Sequence, residues 1–187
     1  MPIFNQQILP AVRSMKDFDL LLRTNYTYGV FLDMHVGMVK SVFQYAKQAN
    51  KQMFLHMDLI HGLKSDEYAT EYVCQEIKPY GIISTKGNVI IKAKQKGVYA
   101  IQRAFIIDSS AMEKSIKLVQ KTEPHFIEVL PGVVPKVVQK LKQETGIDII
   151  AGGLIETVEE VDAILQAGAC AITTSNVDLW KHFEPNY

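Results

Sequence analysis

The chain has 187 residues, 20 Lys+Arg against 20 Asp+Glu, a formal charge of zero and 48% hydrophobic composition. That length supports one well-buried core, the balanced charge argues against a surface that is polycationic throughout, and no run reaches the ~18 apolar residues of a spanning helix. The start MPIFNQQILPAVRS lacks a signal peptide's basic and apolar segments, and the distant Cys74 and Cys170 fit a reducing compartment, so a cytoplasmic chain without a membrane partner is expected.

Short apolar runs alternate with amphipathic ones along the chain. A first strand is predicted over residues 7–12, followed by helical MKDFDLLLR. A second strand, 29–33, precedes VGMVKSVFQYAKQA, which puts Val36, Val39, Val42, Phe43 and Ala46 on one helical face. The third, 52–57, runs into HMDLIHGLKSD, read as the longest strand-to-helix loop, and then SDEYATEYVCQEIK. Strands at 81–84, 98–107, 126–130 and 147–151 precede NVIIKAKQ, SAMEKSIKLVQK, VVPKVVQKLKQE and TVEEVDAILQA, and a last strand at 169–173 leads into VDLWKHF. Ser109 or Ser110 is placed to cap the fifth helix and Thr157 the seventh, while Gly97, Gly146 and Gly168 stand where helices should stop.

Eight strands alternating with helices predict an α/β fold, a single-domain (β/α)₈ TIM-type barrel over residues 1–187. At about 23 residues per unit it is small against the ~250 residues typical of the fold. A doubly wound open sheet is the alternative.

In such a barrel, chemistry gathers at the strand C-termini. Those ends are Arg13, Asp33 and His35, Asp58, Ser84 to Lys86, Arg103 and Asp108, Glu128, Gly152-Gly153, and Thr174-Ser175-Asn176. A phosphate commonly sits between the last two strand loops, here Gly152 and Gly153 with Thr174, Ser175 and Asn176. The plainer reading of the same residues is a βα turn with a hydroxyl cap. Asp33, Asp58 and Glu128 can accept hydrogen bonds from a polyol, and Arg103, a charge within apolar YAIQRAFII, calls for a partner such as Glu128 or an Asp. Lys86 lies beyond its strand, where a phosphate counter-charge fits better than a Schiff-base nucleophile, which would sit inside the barrel. His35, His56 and His61 do not make a converging metal set with Asp33 and Asp58, so no metal is expected. Lysines 92, 94, 96, 114, 117, 121, 136, 140 and 142 cluster on the outer helices, as solvated helix faces commonly do.

The ordered set FLDMHVG, HMDLIHGL, STKGN, QRAFIIDSS, IEVLPG, IAGGLI and TTSN resembles the glycerol uptake operon antiterminator regulatory proteins, over essentially the whole chain. The resemblance implies a barrel that senses glycerol 3-phosphate and acts on the leader of glycerol-catabolism messenger RNA so that transcription passes a terminator. It implies no cofactor and no catalytic residue, and HMDLIHGLKSD is the loop expected to order around the effector. The competing expectation is a barrel enzyme acting on a small phosphorylated sugar or polyol, with Asp33 or Asp58 as base and Glu128 as acid. The sequence leaves the oligomeric state open, a homo-oligomer included.

Overall fold

The computed structural model describes residues 5–186. In chain order the elements are β1 (Ile8–Val12), α1 (Met15–Leu22), β2 (Tyr28–Phe31), β3 (Met34–His35), α2 (Val36–Gln48), β4 (Gln52–His56), β5 (Ile60–His61) and α3 (Glu67–Tyr72). They continue with β6 (Gly81–Ser84), α4 (Gly87–Gln95), β7 (Tyr99–Phe105), α5 (Ser109–Thr122), β8 (Phe126–Leu130), α6 (Pro135–Thr145), β9 (Asp148–Gly152), α7 (Val158–Gln166), β10 (Ala169–Thr174) and α8 (Val177–His182). A closed barrel runs β1-β10-β9-β8-β7-β6-β4-β2, every neighbouring pair parallel, so the open sheet is set aside.

The strands read as continuous apolar runs because both faces are buried. Alternate residues divide between two cores. Leu9, Val30, Phe54, Ile101, Phe126 and Ile150 fill the barrel, whereas Ile8, Phe31, Leu55, Ile127, Ile149 and Ile172 pack outward against helix residues such as Val39, Val89, Val119, Val138 and Ile164.

Helix boundaries follow local chemistry with one correction. Asp108, not Ser109 or Ser110, caps α5, its side chain accepting from the amide of Ala111. A carboxylate at that position satisfies an orphan amide and meets the positive end of the helix dipole. Thr157 caps α7 in a reciprocal box with Glu160. Gly97, Gly146 and Gly168 take left-handed angles just past their helices.

The stretch read as one long loop, HMDLIHGLKSD, is built differently. Met57–Leu59 form a 3₁₀ turn, and β5 pairs in parallel with β3 through Met34 with Ile60 and His35 with His61. Two-residue strands show no periodicity, so sequence pattern misses them. α3 also ends in a π-helical turn, Val73–Ile77.

Candidate functional site

The inward alternation that fills the barrel becomes polar near its C-terminal mouth. His56 stands two residues beyond Phe54, Arg103 two beyond Ile101, Glu128 two beyond Phe126, and Thr173 two beyond Ala171. The sequence places a charge pair at this level, and the structure makes it: Arg103 Nε donates to Glu128 Oε2 at 2.6 Å, while Thr173 Oγ1 donates to Glu128 Oε1 at 2.8 Å. The Glu128 side chain is 1% exposed and that of Arg103 13%. Both carboxylate oxygens are satisfied, as a buried anion requires. Arg103 spends only Nε on the pair, and its two Nη groups make no hydrogen bond to any described residue.

Above this pair lies a cavity of about 590 Å³ lined by Arg13, Asp33, Arg103, Glu128, Gly153, Glu156 and Thr173 to Asn176, with Leu59, Leu130, Leu154 and Ile155 as apolar walls. Of the residues expected at the site, Asp33, Arg103, Glu128, Gly153, Thr174, Ser175 and Asn176 meet here. Gly152, Asp58 and Lys86 do not line it, which corrects their expected placement.

Each absence has a local cause. A Cβ on Gly152 would lie 2.2 Å from Thr173 Oγ1, so this glycine lets β9 and β10 approach at the level where Thr173 holds Glu128. Its neighbour Gly153 has φ +76° and Leu154 φ +60°; they turn the chain off the strand. The paired glycines therefore split between close packing and a turn.

Asp58 sits on the 3₁₀ turn, where strand alternation no longer aims it inward. Its oxygens accept from Ser65 Oγ at 2.7 Å, Ser84 Oγ at 2.6 Å, and the amide and hydroxyl of Thr85 at 2.7 and 2.8 Å. Burial pushes this carboxyl upward, but the hydrogen bonds from Ser84, Thr85 and Ser65 outweigh it and hold the group below its usual range. Lys86 precedes α4, and its Nζ donates to the carbonyl of Ser65 at 2.9 Å. Asp58 and Lys86 thus brace the β4–α3 connection against β6.

Among the residues at the cavity, several polar groups are already engaged. Thr174 Oγ1 accepts from the amide of Asn176, and the Asn176 side chain caps α8. Trp180 Nε1 donates to the Thr174 carbonyl at 2.8 Å, and Tyr26 Oη donates to the Trp180 carbonyl at 2.8 Å, pinning α8 under the β10 end. The guanidinium of exposed Arg13 and the hydroxyl of exposed Ser175 make no hydrogen bond to described residues. Arg13 was recognisable as a strand end but not assigned to the site; its signal was the inward series Leu9, Ala11, Arg13.

The histidines separate. His35 caps α2 through Nδ1, and His61 Nε2 lies 3.9 Å from Asp33 Oδ1. His125 sits at the opposite barrel end, accepting from the amide of Ala100. His56 is 2% exposed, and neither ring nitrogen has a hydrogen-bond partner among the described residues. Burial and the nearby Arg103 charge push its pKa down to about 4, so the ring is neutral at pH 7. Among the described residues no group of three or more His, Cys, Asp and Glu converges as for a metal ion. Burial raises the Cys74 and Cys170 thiols to about 11 and about 12, away from the range of a reactive thiolate.

Fold and site together define a compact (β/α)₈ barrel with a polar cavity, bordered by arginine and carboxylate groups, at its strand C-terminal mouth. The chain belongs to the glycerol-3-phosphate responsive antiterminator family, whose profile matches residues 8–180, and so to a family of transcription regulators. It is 50% identical to a glycerol uptake operon antiterminator regulatory protein of Listeria monocytogenes, covering 97% of this chain and 98% of that one, with a TM-score of 0.94. A glycerol uptake operon antiterminator-related protein of Thermotoga maritima is 33% identical over 94% of this chain and 98% of its own, with a TM-score of 0.83. Deoxyribose phosphate aldolase of Aeropyrum pernix shares the fold alone, at 13% identity over 92% of this chain and 86% of that one, with a TM-score of 0.71. No helix among the described residues is long and apolar enough to cross a membrane.

Proposed function

We propose that the mouth cavity binds glycerol 3-phosphate and that occupancy sets the chain's action on the leader of a glycerol-catabolism messenger RNA. The observation that carries this reading is the Arg103–Glu128 pair: a buried carboxylate fixes the guanidinium through Nε and leaves the Nη edge beside the cavity. That edge is preorganised for an oxyanion or a hydroxyl. Gly153, Ser175 and Arg13 supply the phosphate seat, at the loops after the seventh and eighth barrel strands. Asp33 and Glu156 accept from the polyol hydroxyls. Thr174 and Asn176 shape the seat through their backbone and caps.

A sensor fits this cavity better than an enzyme acting on the same ligand class. Asp58, a candidate base, is surrounded by four donors away from the cavity, and Glu128, a candidate acid, is bound to Arg103 and Thr173. Lys86, the candidate amine, reaches Ser65. A ligand alters RNA action only through different affinities for two states of the protein, and the coupling is reciprocal.

Calorimetric titration with glycerol 3-phosphate, glycerol and inorganic phosphate, with and without leader RNA, tests the reading. Saturable binding of glycerol 3-phosphate that RNA tightens or weakens is expected, with the ligand recovered unchanged. Equal affinity with and without RNA would remove the coupling, and turnover of the ligand would restore the enzyme.

A further inference from the structure

The zero net charge conceals a segregated one. Residues 1–85 carry eight basic and eight acidic side chains, residues 86–145 eleven basic and five acidic, and residues 146–187 one basic and seven acidic. Strand order converts these segments into sides of the barrel: α4, α5 and α6 follow neighbouring β6, β7 and β8, whereas α7 and α8 follow neighbouring β9 and β10. One side is therefore strongly basic and the adjoining side strongly acidic.

Within the basic side the lysines differ. On α4 and at its C-cap, Lys92 and Lys96 pair with Glu71, and Lys94 pairs with Glu123. Lys142 pairs with Asp148. Lys114, Lys117 and Lys121 on α5, with Lys136 and Lys140 on α6, are exposed and form no ion pair among the described residues. These two helices pack side by side. At a rise of ~1.5 Å per residue, Lys114, Lys117 and Lys121 stand roughly 4.5 and 6 Å apart along the helix axis. Glu113, Gln120, Gln139 and Gln143, also exposed, interleave with them, so the lysines sit among polar side chains.

We infer that the exposed face of α5 and α6, centred on Lys114, Lys117, Lys121, Lys136 and Lys140, is where the leader RNA docks through its phosphates. The inference rests on the regulatory reading above and adds the surface to it. Unpaired, flexible ammonium groups suit a phosphate backbone, whose binding releases condensed counterions. Protein interfaces deplete lysine, so a second copy presenting its acidic side is the weaker occupant. Lysines position a backbone without reading bases, so steep salt dependence with little sequence discrimination is the expected signature of this face.

The test measures affinity for a labelled leader RNA across a salt series, with glycerol 3-phosphate saturating. It compares the parent, K114E/K117E/K136E, and the control K16E/R23E/K47E drawn from the charge-balanced segment. K114Q/K117Q/K136Q serves as a second variant should the glutamates fail to fold. The face variant should lose affinity about tenfold or more and flatten the log–log salt slope by roughly 2, at ~0.7 per phosphate contact on a single strand. The control should match the parent, and calorimetric binding of glycerol 3-phosphate should be unchanged in all three proteins. A parent that binds RNA no better than the face variant overturns the docking surface and leaves the regulatory reading standing. A parent that binds no RNA at any salt overturns both. A changed sedimentation coefficient in the face variant with unaltered RNA affinity would assign the face to self-association instead.

Discussion

Arg103 and Glu128 are neighbours across β7 and β8, and the register that pairs them also buries them. Breaking such a pair costs more than its net contribution, because one charge is left uncompensated in the interior. Arg103→Met is expected to destabilise the barrel by about 3–5 kcal/mol in urea denaturation. Adding Glu128→Gln should return most of that stability, yet neither protein should bind glycerol 3-phosphate in a calorimeter. Recovered binding in the double variant would show that the guanidinium is not a ligand group. His56 gives a second prediction at this scale, in pH. Its folded pKa of about 4 lies below the ordinary 6.5, so the unfolded chain takes up a proton that the folded one refuses. Stability from this residue is intact above pH 6.5, falls as pH drops toward about 4, and levels off below, a loss of roughly 3 kcal/mol. His56→Leu should flatten that limb of a denaturant-midpoint series; parallel curves for the two proteins would exclude His56 as its source.

Gly152 shows how two strands and a site depend on a missing side chain. Gly152→Ala puts a Cβ 2.2 Å from Thr173 Oγ1, and the hydroxyl that must move holds Glu128. The expected cost is about 1–3 kcal/mol, typical of overpacking. Thr173→Ala in the same chain should recover part of it, giving a double-mutant cycle that is clearly non-additive. Additive losses would place the strain elsewhere, against the loop that brings the Gly132 amide to the Gly152 carbonyl at 2.6 Å. At this scale much of the architecture was legible. Eight apolar runs declared the barrel strands because each is buried on both faces, and the amphipathic stretches between them became α1 to α8. The Arg103–Glu128 pair was legible because a charge inside YAIQRAFII needs a partner. Asp58 was misplaced because alternation ends at His56, where the chain enters a 3₁₀ turn. The β3–β5 ladder was invisible because two residues carry no period.

For the whole molecule, the cavity is a junction among strands distant in sequence. Its lining draws on β1, β2, β7, β8 and β10 and on the turn after β9, with Leu59 from the turn after β4. A ligand held there ties together both sides of the closing seam, where β1 pairs with β10. A molecule that binds only the folded state stabilises it by mass action, about 2.7 kcal/mol at a hundredfold excess over Kd. For a chain of this size that corresponds to a rise in Tm of roughly 5–10 °C. Scanning calorimetry should show this shift with glycerol 3-phosphate, smaller shifts with glycerol or inorganic phosphate at equal concentration, and a single cooperative transition in each case. The R103M/E128Q protein should melt at one temperature whether or not glycerol 3-phosphate is present. An equal shift in that variant would mean that neither Arg103 nor Glu128 engages the ligand, because the other cavity groups, Arg13, Asp33, Gly153, Glu156 and Ser175, remain to hold it.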